Sequence, residues 1–186
     1  MAGHVGDEQT AREGLADAAP TVRATALGAL DRLGALADDE LSAALSDPDP
    51  AVRRRSCELA ATYANCDVAA ALGDPDPSVV EMAAWALGER EDRDAVPALC
   101  LMADSGQGHG DPLCREAAVA ALGAIGDDAG LPAILASLTD KPAIRRRAAV
   151  ALAAFEGPDV EAALRRCLDD RDWQVRQVAE DLLATE

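Results

Sequence analysis

The chain has 186 residues, of which 49% are apolar, 27% are charged and only 2% are aromatic, and its 34 acidic side chains against 17 basic ones give a net charge of −17 at pH 7. The apolar fraction excludes a disordered chain, and the shortage of rings excludes a core centred on aromatic residues. The negative charge repels phosphate groups and anionic lipids. We therefore expect no nucleic-acid partner and no membrane partner, and we favour a protein partner with a basic surface.

No targeting or spanning segment is predicted. Asp, Glu or Arg interrupts every apolar run well short of the roughly 20 residues that a bilayer requires. The first ten residues lack the apolar centre of a secretory signal. We expect a cytoplasmic protein with a disordered tail at residues 1–6 and one domain at residues 7–186. The five cysteines are odd in number and form no Cys-x-x-Cys pair, which is typical of reduced, mostly buried thiols.

One pattern recurs six times along the chain, at intervals of about thirty residues. In each copy, an apolar anchor residue follows a proline or an aspartate and precedes small apolar residues at helical spacing, in most copies with an arginine directly after the anchor. This self-similarity indicates a repeat protein. The anchors are Val22, Val52, Val79, Cys114, Ile144 and Val175.

Each copy is predicted to contain a pair of helices. Proline is tolerated at the first position of a helix, and a preceding aspartate caps the exposed amides, as in Asp49-Pro50 and Asp111-Pro112. Glycines at positions 34, 73, 88, 126 and 157 stand where helices should end in a left-handed residue. No strand-like alternation occurs, so the fold class is all-α. The first helices of the pairs are expected near 7–17, 38–46, 67–73, 93–104, 129–139 and 158–169, and the third is the shortest.

Two turn sequences carry a family resemblance. The segments 45–53 (LSDPDPAVR) and 72–80 (LGDPDPSVV) resemble the HEAT-like repeat of the phycobilisome-lyase type, as does the segment 120–127 (AALGAIGD). The resemblance covers nearly the whole chain. It implies a right-handed α-solenoid of about six HEAT-like helical hairpins. It says little about function, because function depends on sites added to such a fold.

The resemblance also implies a ladder of Asp–Arg contacts between neighbouring turns. An aspartate stands six positions before the anchor arginine in the pair Asp47 and Arg53, and the same spacing relates Asp17 to Arg23 and Asp170 to Arg176. Val80 stands in place of one arginine and His109 in place of one aspartate. We expect these residues to fix how the repeats stack.

Two arginine triplets, 53–55 and 145–147, lie in the first turns of predicted helices, where positive charge opposes the helix dipole. Two interpretations remain open. The arginines pair with nearby aspartates, or some of them form two cationic spots for a carboxylate or phosphate of a partner. The second interpretation assigns partner binding to Arg54, Arg55, Arg146 and Arg147.

The resemblance implies that the second helices line the concave side of the solenoid. Trp85, six residues after its anchor, is then a large aromatic residue near the middle of that face, and tryptophan is typical of binding anchors. Alternatively, Trp85 packs on the short third pair. The residues expected around it are Glu58, Glu81, Glu89, Ala120 and Val150.

Catalytic and metal-binding residues are scarce. Only His4 and His109 are histidines, and the glycine-rich loop at 105–110 lacks the lysine of a phosphate loop. We expect no cofactor and no catalytic residues. The expected function is that of a non-catalytic protein-binding scaffold or adaptor, a monomer that uses an acidic concave surface. The alternative is a subunit of a bilin-lyase-like or other cofactor-handling enzyme.

Overall fold

The structure, a computed structural model, describes residues 2–184, with side chains from residue 7 onward. Within these residues every regular element is a helix, and none of the helices has the length and apolar character needed to cross a bilayer. Short 3-10 helices accompany the α-helices at Ala69–Gly73, Arg93–Ala95, Asp128–Gly130 and Leu152–Ala154. The α-helices are α1 (Ala2–Gly14), α2 (Pro20–Arg32), α3 (Asp38–Ala44), α4 (Pro50–Ala60), α5 (Pro77–Glu89), α6 (Val96–Ala103), α7 (Pro112–Ile125), α8 (Leu131–Ser137), α9 (Pro142–Ala151), α10 (Pro158–Cys167) and α11 (Trp173–Leu183).

The helices form six consecutive pairs, which confirms the all-helical repeat architecture. In the third pair the first member is the 3-10 helix Ala69–Gly73 and not an α-helix. The segment before Asp74 is too short for several α-helical turns, and the tighter 3-10 geometry suits such short pieces.

The second helix of each pair begins at the residue that the sequence pattern indicates, which is proline in five pairs and Trp173 in the sixth. The predicted caps are also present. The Asp49 carboxylate accepts a hydrogen bond from the Ala51 amide at 2.9 Å, and the Asp111 carboxylate accepts one from the Leu113 amide at 2.9 Å. Helix starts are therefore determined locally, by proline geometry and side-chain capping.

Two local expectations need correction. Helix α1 begins at Ala2, so the first helix starts earlier than residue 7; the division into a tail and a single repeat domain stays a prediction. Gly34, Gly126 and Gly157 have positive φ, as expected of helix ends, but Gly73 and Gly88 do not. Gly88 lies inside α5, and the backbone leaves the helix through Glu91, whose φ is 50°.

The chain packs as two compact units, residues 1–86 and residues 87–186. The core of the first unit consists mainly of leucine, valine and alanine, and the core of the second unit contains isoleucine as well. Five of the six anchors are buried: Val52, Val79, Cys114, Ile144 and Val175. The sixth anchor, Val22, is 41% exposed. Gly14 of α1 lies beside Val22 and has no side chain to cover it.

Candidate protein-binding site

The arginine after the anchor joins successive repeats. In each link its Nε and Nη2 donate two hydrogen bonds to both carboxylate oxygens of the aspartate in the next repeat, over distances of 2.6–3.1 Å. Its Nη1 donates to a backbone carbonyl in the turn of its own repeat, as from Arg53 to Asp47 O at 2.8 Å. The expected ladder is therefore present, and its links are Arg23–Asp47, Arg53–Asp74, Arg115–Asp140 and Arg145–Asp170.

Two details of the ladder differ from the expectation. Asp140 takes part although it stands five residues before Arg145, because this turn is one residue shorter than the others. His109 replaces an aspartate, yet its carbonyl oxygen accepts a hydrogen bond from Arg115 at 2.9 Å. In the repeat pattern, Val80 holds the arginine position of one repeat and His109 holds the aspartate position of the next repeat. Both substitutions therefore affect the same link, and the sequence lacks one link and not two. The side chain of Val80 is buried.

The ladder aspartates are acidic groups stabilised in their charged form. In Asp47, Asp74, Asp140 and Asp170, hydrogen bonds from the arginine lower the pKa below the ordinary value, while burial acts in the opposite direction. The Arg115–Asp140 link is the most deeply buried, with side-chain exposures of 8% and 6%. Such a pair is costly to break singly, because one buried charge then remains without a partner.

These pKa shifts predict a loss of stability in acid. A carboxylate whose pKa is lower in the folded chain stabilises the fold above its unfolded pKa of about 3.9, and this contribution disappears as the pH falls through the folded value. The pI of about 4.3 means that charge repulsion is already small at that pH. We expect the urea midpoint of unfolding to fall steeply below a pH of about 4. A midpoint that stays level into stronger acid would contradict this, and Asp140→Asn should make the decline shallower.

The arginine triplets have divided roles. The first arginine of each, Arg53 or Arg145, belongs to the ladder. The second differs between the two triplets. Arg54 is exposed and forms no ion pair with a described residue, whereas Arg146 lies 3.2 Å from the Asp172 carboxylate and donates to the Gln174 side chain at 2.6 Å.

The third arginine of the first triplet lines a groove between α2 and α4. Arg55 Nη1 lies 2.8 Å from Glu58 Oε2, and its guanidinium covers Gly28 so closely that a Cβ at Gly28 would meet Nη2 at 2.5 Å. The groove has a volume of about 330 Å³. We call it the α2/α4 groove, and its lining residues are Ala24, Thr25, Gly28, Arg32 and Arg55.

The third arginine of the second triplet lines an equivalent groove between α7 and α9. Arg147 lies 3.5 Å from the Glu116 carboxylate. The groove has a volume of about 340 Å³, and the two helices meet closely at its base, where a Cβ on Gly123 would lie 2.6 Å from the Ala151 Cβ. We call it the α7/α9 groove, lined by Arg147 and by Ala120, Gly123, Ala124, Val150, Ala151, Ala153 and Ala154.

Trp85 lies on α5 with 43% of its surface exposed. Glu81 and Glu89 are also exposed, one helical turn before and one turn after it. Residues four apart lie on the same side of a helix. The three side chains therefore form one stripe, which we call the α5 stripe. The other residues expected near Trp85 lie in other contacts. Glu58 forms an ion pair with Arg55, and Ala120 and Val150 line the α7/α9 groove.

Four residues of the α2/α4 groove were not identified as site residues from the sequence: Ala24, Thr25, Gly28 and Arg32. In the sequence, Gly28 stands out only because it lies six residues after the anchor Val22, as Trp85 lies six residues after Val79. Arg32 stands alone in the last turn of α2, where a basic residue is also explained by the helix dipole. Only the packing of α4 against α2 brings Arg55 to the same groove.

The described residues provide little chemistry of other kinds. None of them form a group of three or more His, Cys, Asp or Glu side chains suited to a metal ion. Burial raises the pKa of the Cys57 thiol to about 12. His109 Nδ1 accepts a hydrogen bond from the Asp111 amide at 3.1 Å, and so helps to form the turn before α7.

Paired helices, a repeat of about thirty residues and an Asp–Arg ladder define an α-solenoid repeat protein. The family model for HEAT repeats matches residues 38–108 and residues 105–184. The chain belongs to the HEAT repeat family. Among curated proteins, no sequence matches this chain.

Solved structures share the fold. A chain of the complex of CpcE and CpcF of phycocyanin lyase from Nostoc sp. PCC7120 has 27% identity and a TM-score of 0.68, covering 95% of this chain and 75% of that one. An engineered protein has 20% identity and a TM-score of 0.68, with coverage of 96% and 95%. A designed armadillo repeat protein in complex with the peptide (KR)4 has 16% identity and a TM-score of 0.69, with coverage of 96% and 98%.

Proposed function

We propose that this protein is a non-catalytic scaffold or adaptor that binds a protein with a basic surface. The observation that carries the proposal is the α5 stripe, in which an exposed tryptophan lies between two exposed carboxylates. Trp173 is more exposed than Trp85, but no pair of carboxylates flanks it, because Gln177 stands four residues after it. An exposed tryptophan between two carboxylates suits the binding of a partner.

The stripe suits a lysine or arginine side chain. A cation attracts the face of an indole ring, and tryptophan is the strongest such acceptor among the aromatic residues. Glu81 and Glu89 would each offer the same cation a carboxylate. At longer range, the net charge of −17 would speed the approach of a basic partner.

The remaining proposed contacts are electrostatic. Arg54, exposed and unpaired among the described residues, would reach an acidic side chain of the partner. Arg147 lies 3.5 Å from Glu116 in a partly exposed pair, and a partner carboxylate would replace Glu116 there. The full set of proposed partner-binding residues is Trp85, Glu58, Glu81, Glu89, Arg54, Arg55, Arg146 and Arg147. We propose a cytoplasmic monomer as the active form.

The structural neighbours support this proposal at the level of fold. The designed armadillo repeat protein was solved with (KR)4, a basic peptide, and the lyase structure is a complex of two proteins. At 16% identity the first likeness concerns architecture alone. The basic character of the partner is therefore inferred from the charge of this chain and from the α5 stripe.

We expect Trp85→Ala to weaken binding of a basic peptide by about tenfold or more, because truncation of a tryptophan anchor removes most of the local contact. The probe is a fluorescein-labelled octapeptide of alternating lysine and arginine, and its affinity is measured by anisotropy. Trp173→Ala is the matched control, since Trp173 is also exposed, at 64%, but lies outside the stripe. Equal losses in the two variants would contradict the proposal.

The alternative function is that of a subunit of a bilin-lyase-like or other cofactor-handling enzyme. The observation in its favour is the 27% identity to a chain of phycocyanin lyase over 95% of this chain. A purified sample with visible absorption from a bound chromophore would support it over the scaffold proposal.

A further inference from the structure

We infer that the α2/α4 groove binds a carboxylate, supplied by an aspartate or glutamate side chain of the partner. That the carboxylate comes from a partner protein rests on the proposed protein-binding function. The site itself is argued from the residues that line the groove. Two guanidinium groups, Arg32 and Arg55, line it together with Thr25. A concentration of positive charge is unusual in a chain with twice as many acidic as basic side chains.

The first argument is the unused donor edge of Arg55. In all four ladder links, the Nε and Nη2 groups of an arginine hold an aspartate carboxylate by two hydrogen bonds. Arg55 contacts Glu58 through Nη1, and no described residue accepts a hydrogen bond from its Nε or Nη2. A carboxylate could accept hydrogen bonds from Nε and Nη2 of Arg55, as the ladder aspartates do from their arginines.

The second argument is the charge balance of the groove. Arg32 is exposed and forms no ion pair with a described residue, and Glu58 offsets only one of the two arginines. One positive charge is left over, and a single carboxylate would neutralise it. The Thr25 hydroxyl donates to the Thr21 carbonyl at 2.7 Å, so its oxygen contributes polarity to the groove without adding charge.

The third argument is the contrast with the α7/α9 groove. The two grooves differ little in volume, and Arg147 occupies the position equivalent to Arg55. There, however, Glu116 pairs with Arg147, and Ala124 stands where α2 has Arg32. The α7/α9 groove therefore has balanced charge and an apolar lining. The surplus charge is a property of the α2/α4 groove and not of the repeat.

Gly28 determines where the Arg55 guanidinium lies. Any side chain at position 28 would meet Nη2 at 2.5 Å and push the guanidinium away. Gly28→Ala therefore displaces the donor group while the net charge stays the same. This makes Gly28 a positioning residue, and its substitution separates geometry from charge.

The test uses two peptides that differ only in charge, acetyl-Gly-Glu-Gly-amide and acetyl-Gly-Gln-Gly-amide, titrated into the full ¹⁵N-labelled chain. The expected result is a saturable change in the amide signals of Thr25 and Gly28 and in the Nε signal of Arg55, with the Glu peptide only. Arg55→Gln, Arg32→Gln and Gly28→Ala should each weaken binding by about tenfold, the usual effect of losing one charged hydrogen bond. Arg166→Gln, the matched control, removes an exposed arginine of α10 that does not line the groove, and it should leave binding unchanged.

Three results would overturn the inference: equal responses to the Glu and Gln peptides, no saturable response to either, or equal binding by Arg55→Gln and the unchanged chain. The circular dichroism spectrum and the urea midpoint of each variant show whether it folds. The small peptides do not require the α5 stripe. Failure of this test therefore leaves the basic-partner proposal standing, and failure of the Trp85 test leaves the carboxylate site standing.

Discussion

Asp140→Ala is expected to lower the free energy of unfolding by about 3 kcal/mol, the size usual for breaking a buried ion pair by removing one partner. The substitution leaves the Arg115 side chain, which is 8% exposed, without its carboxylate partner, and it removes the oxygen that accepts a hydrogen bond from the Lys141 amide at 2.7 Å. Arg115 would still hold the His109 carbonyl, so the turn keeps one of its contacts. Urea unfolding followed by circular dichroism measures the loss.

The control is Asp169→Ala, which removes the same carboxylate from an exposed position. We expect a change of no more than about 0.5 kcal/mol there. Adding Arg115→Val to Asp140→Ala should recover part of the loss, because the buried charge is gone and Val80 shows that the fold buries valine at the equivalent position. Equal effects of Asp140→Ala and Asp169→Ala would mean that the ladder does not stabilise the fold.

Gly123→Ala is expected to destabilise the chain by about 1–3 kcal/mol, although alanine is the better helix former. The new Cβ would lie 2.6 Å from the Ala151 Cβ and 2.9 Å from the Ala151 Cα. Neither atom belongs to a side chain that can rotate away, so α7 and α9 would have to separate. The overpacking cost exceeds the gain of up to about 1 kcal/mol in helix propensity.

Two further glycines give a graded comparison for this prediction. A Cβ at Gly88 would lie 3.0 Å from the Ala121 Cα, and one at Gly73 would meet nothing within 4 Å. We expect the loss to decrease from Gly123→Ala to Gly88→Ala, and Gly73→Ala to cause none. If all three variants unfold at the same urea concentration, close helix packing does not limit these positions.

The sequence predicts the fold well because its signals are local. A proline at the first position and a capping aspartate define where the second helices begin, and the sixth helix pair follows the same rule with Trp173 in place of proline. The failures come from tertiary context. The exposure of Val22 depends on Gly14 in another helix, and Gly88 stays inside α5 because the residue with positive φ after this helix is Glu91.

The candidate site is less predictable, because it depends on which helices meet. Spacing alone places Glu81, Trp85 and Glu89 on one side of α5, and the structure adds their exposure. Arg55 is recognisable as part of a basic triplet, but its position over Gly28 and beside Arg32 requires the packing of α4 on α2. The two roles within each triplet, with the first arginine in the ladder and the third in a groove, likewise depend on which neighbouring helix each arginine faces.

The most direct test of the scaffold proposal is a charge-matched fluorescence titration. In the Trp173→Phe background, Trp85 is the one tryptophan in the sequence, and its emission is followed as the unlabelled alternating lysine–arginine octapeptide is added. Two variants, Glu81→Gln with Glu89→Gln and Asp159→Asn with Asp169→Asn, each remove two exposed carboxylates. The proposal predicts that the first variant loses most of the binding and the second retains it. Equal weakening of both would show that the peptide responds to net charge alone and would contradict a binding site at the α5 stripe.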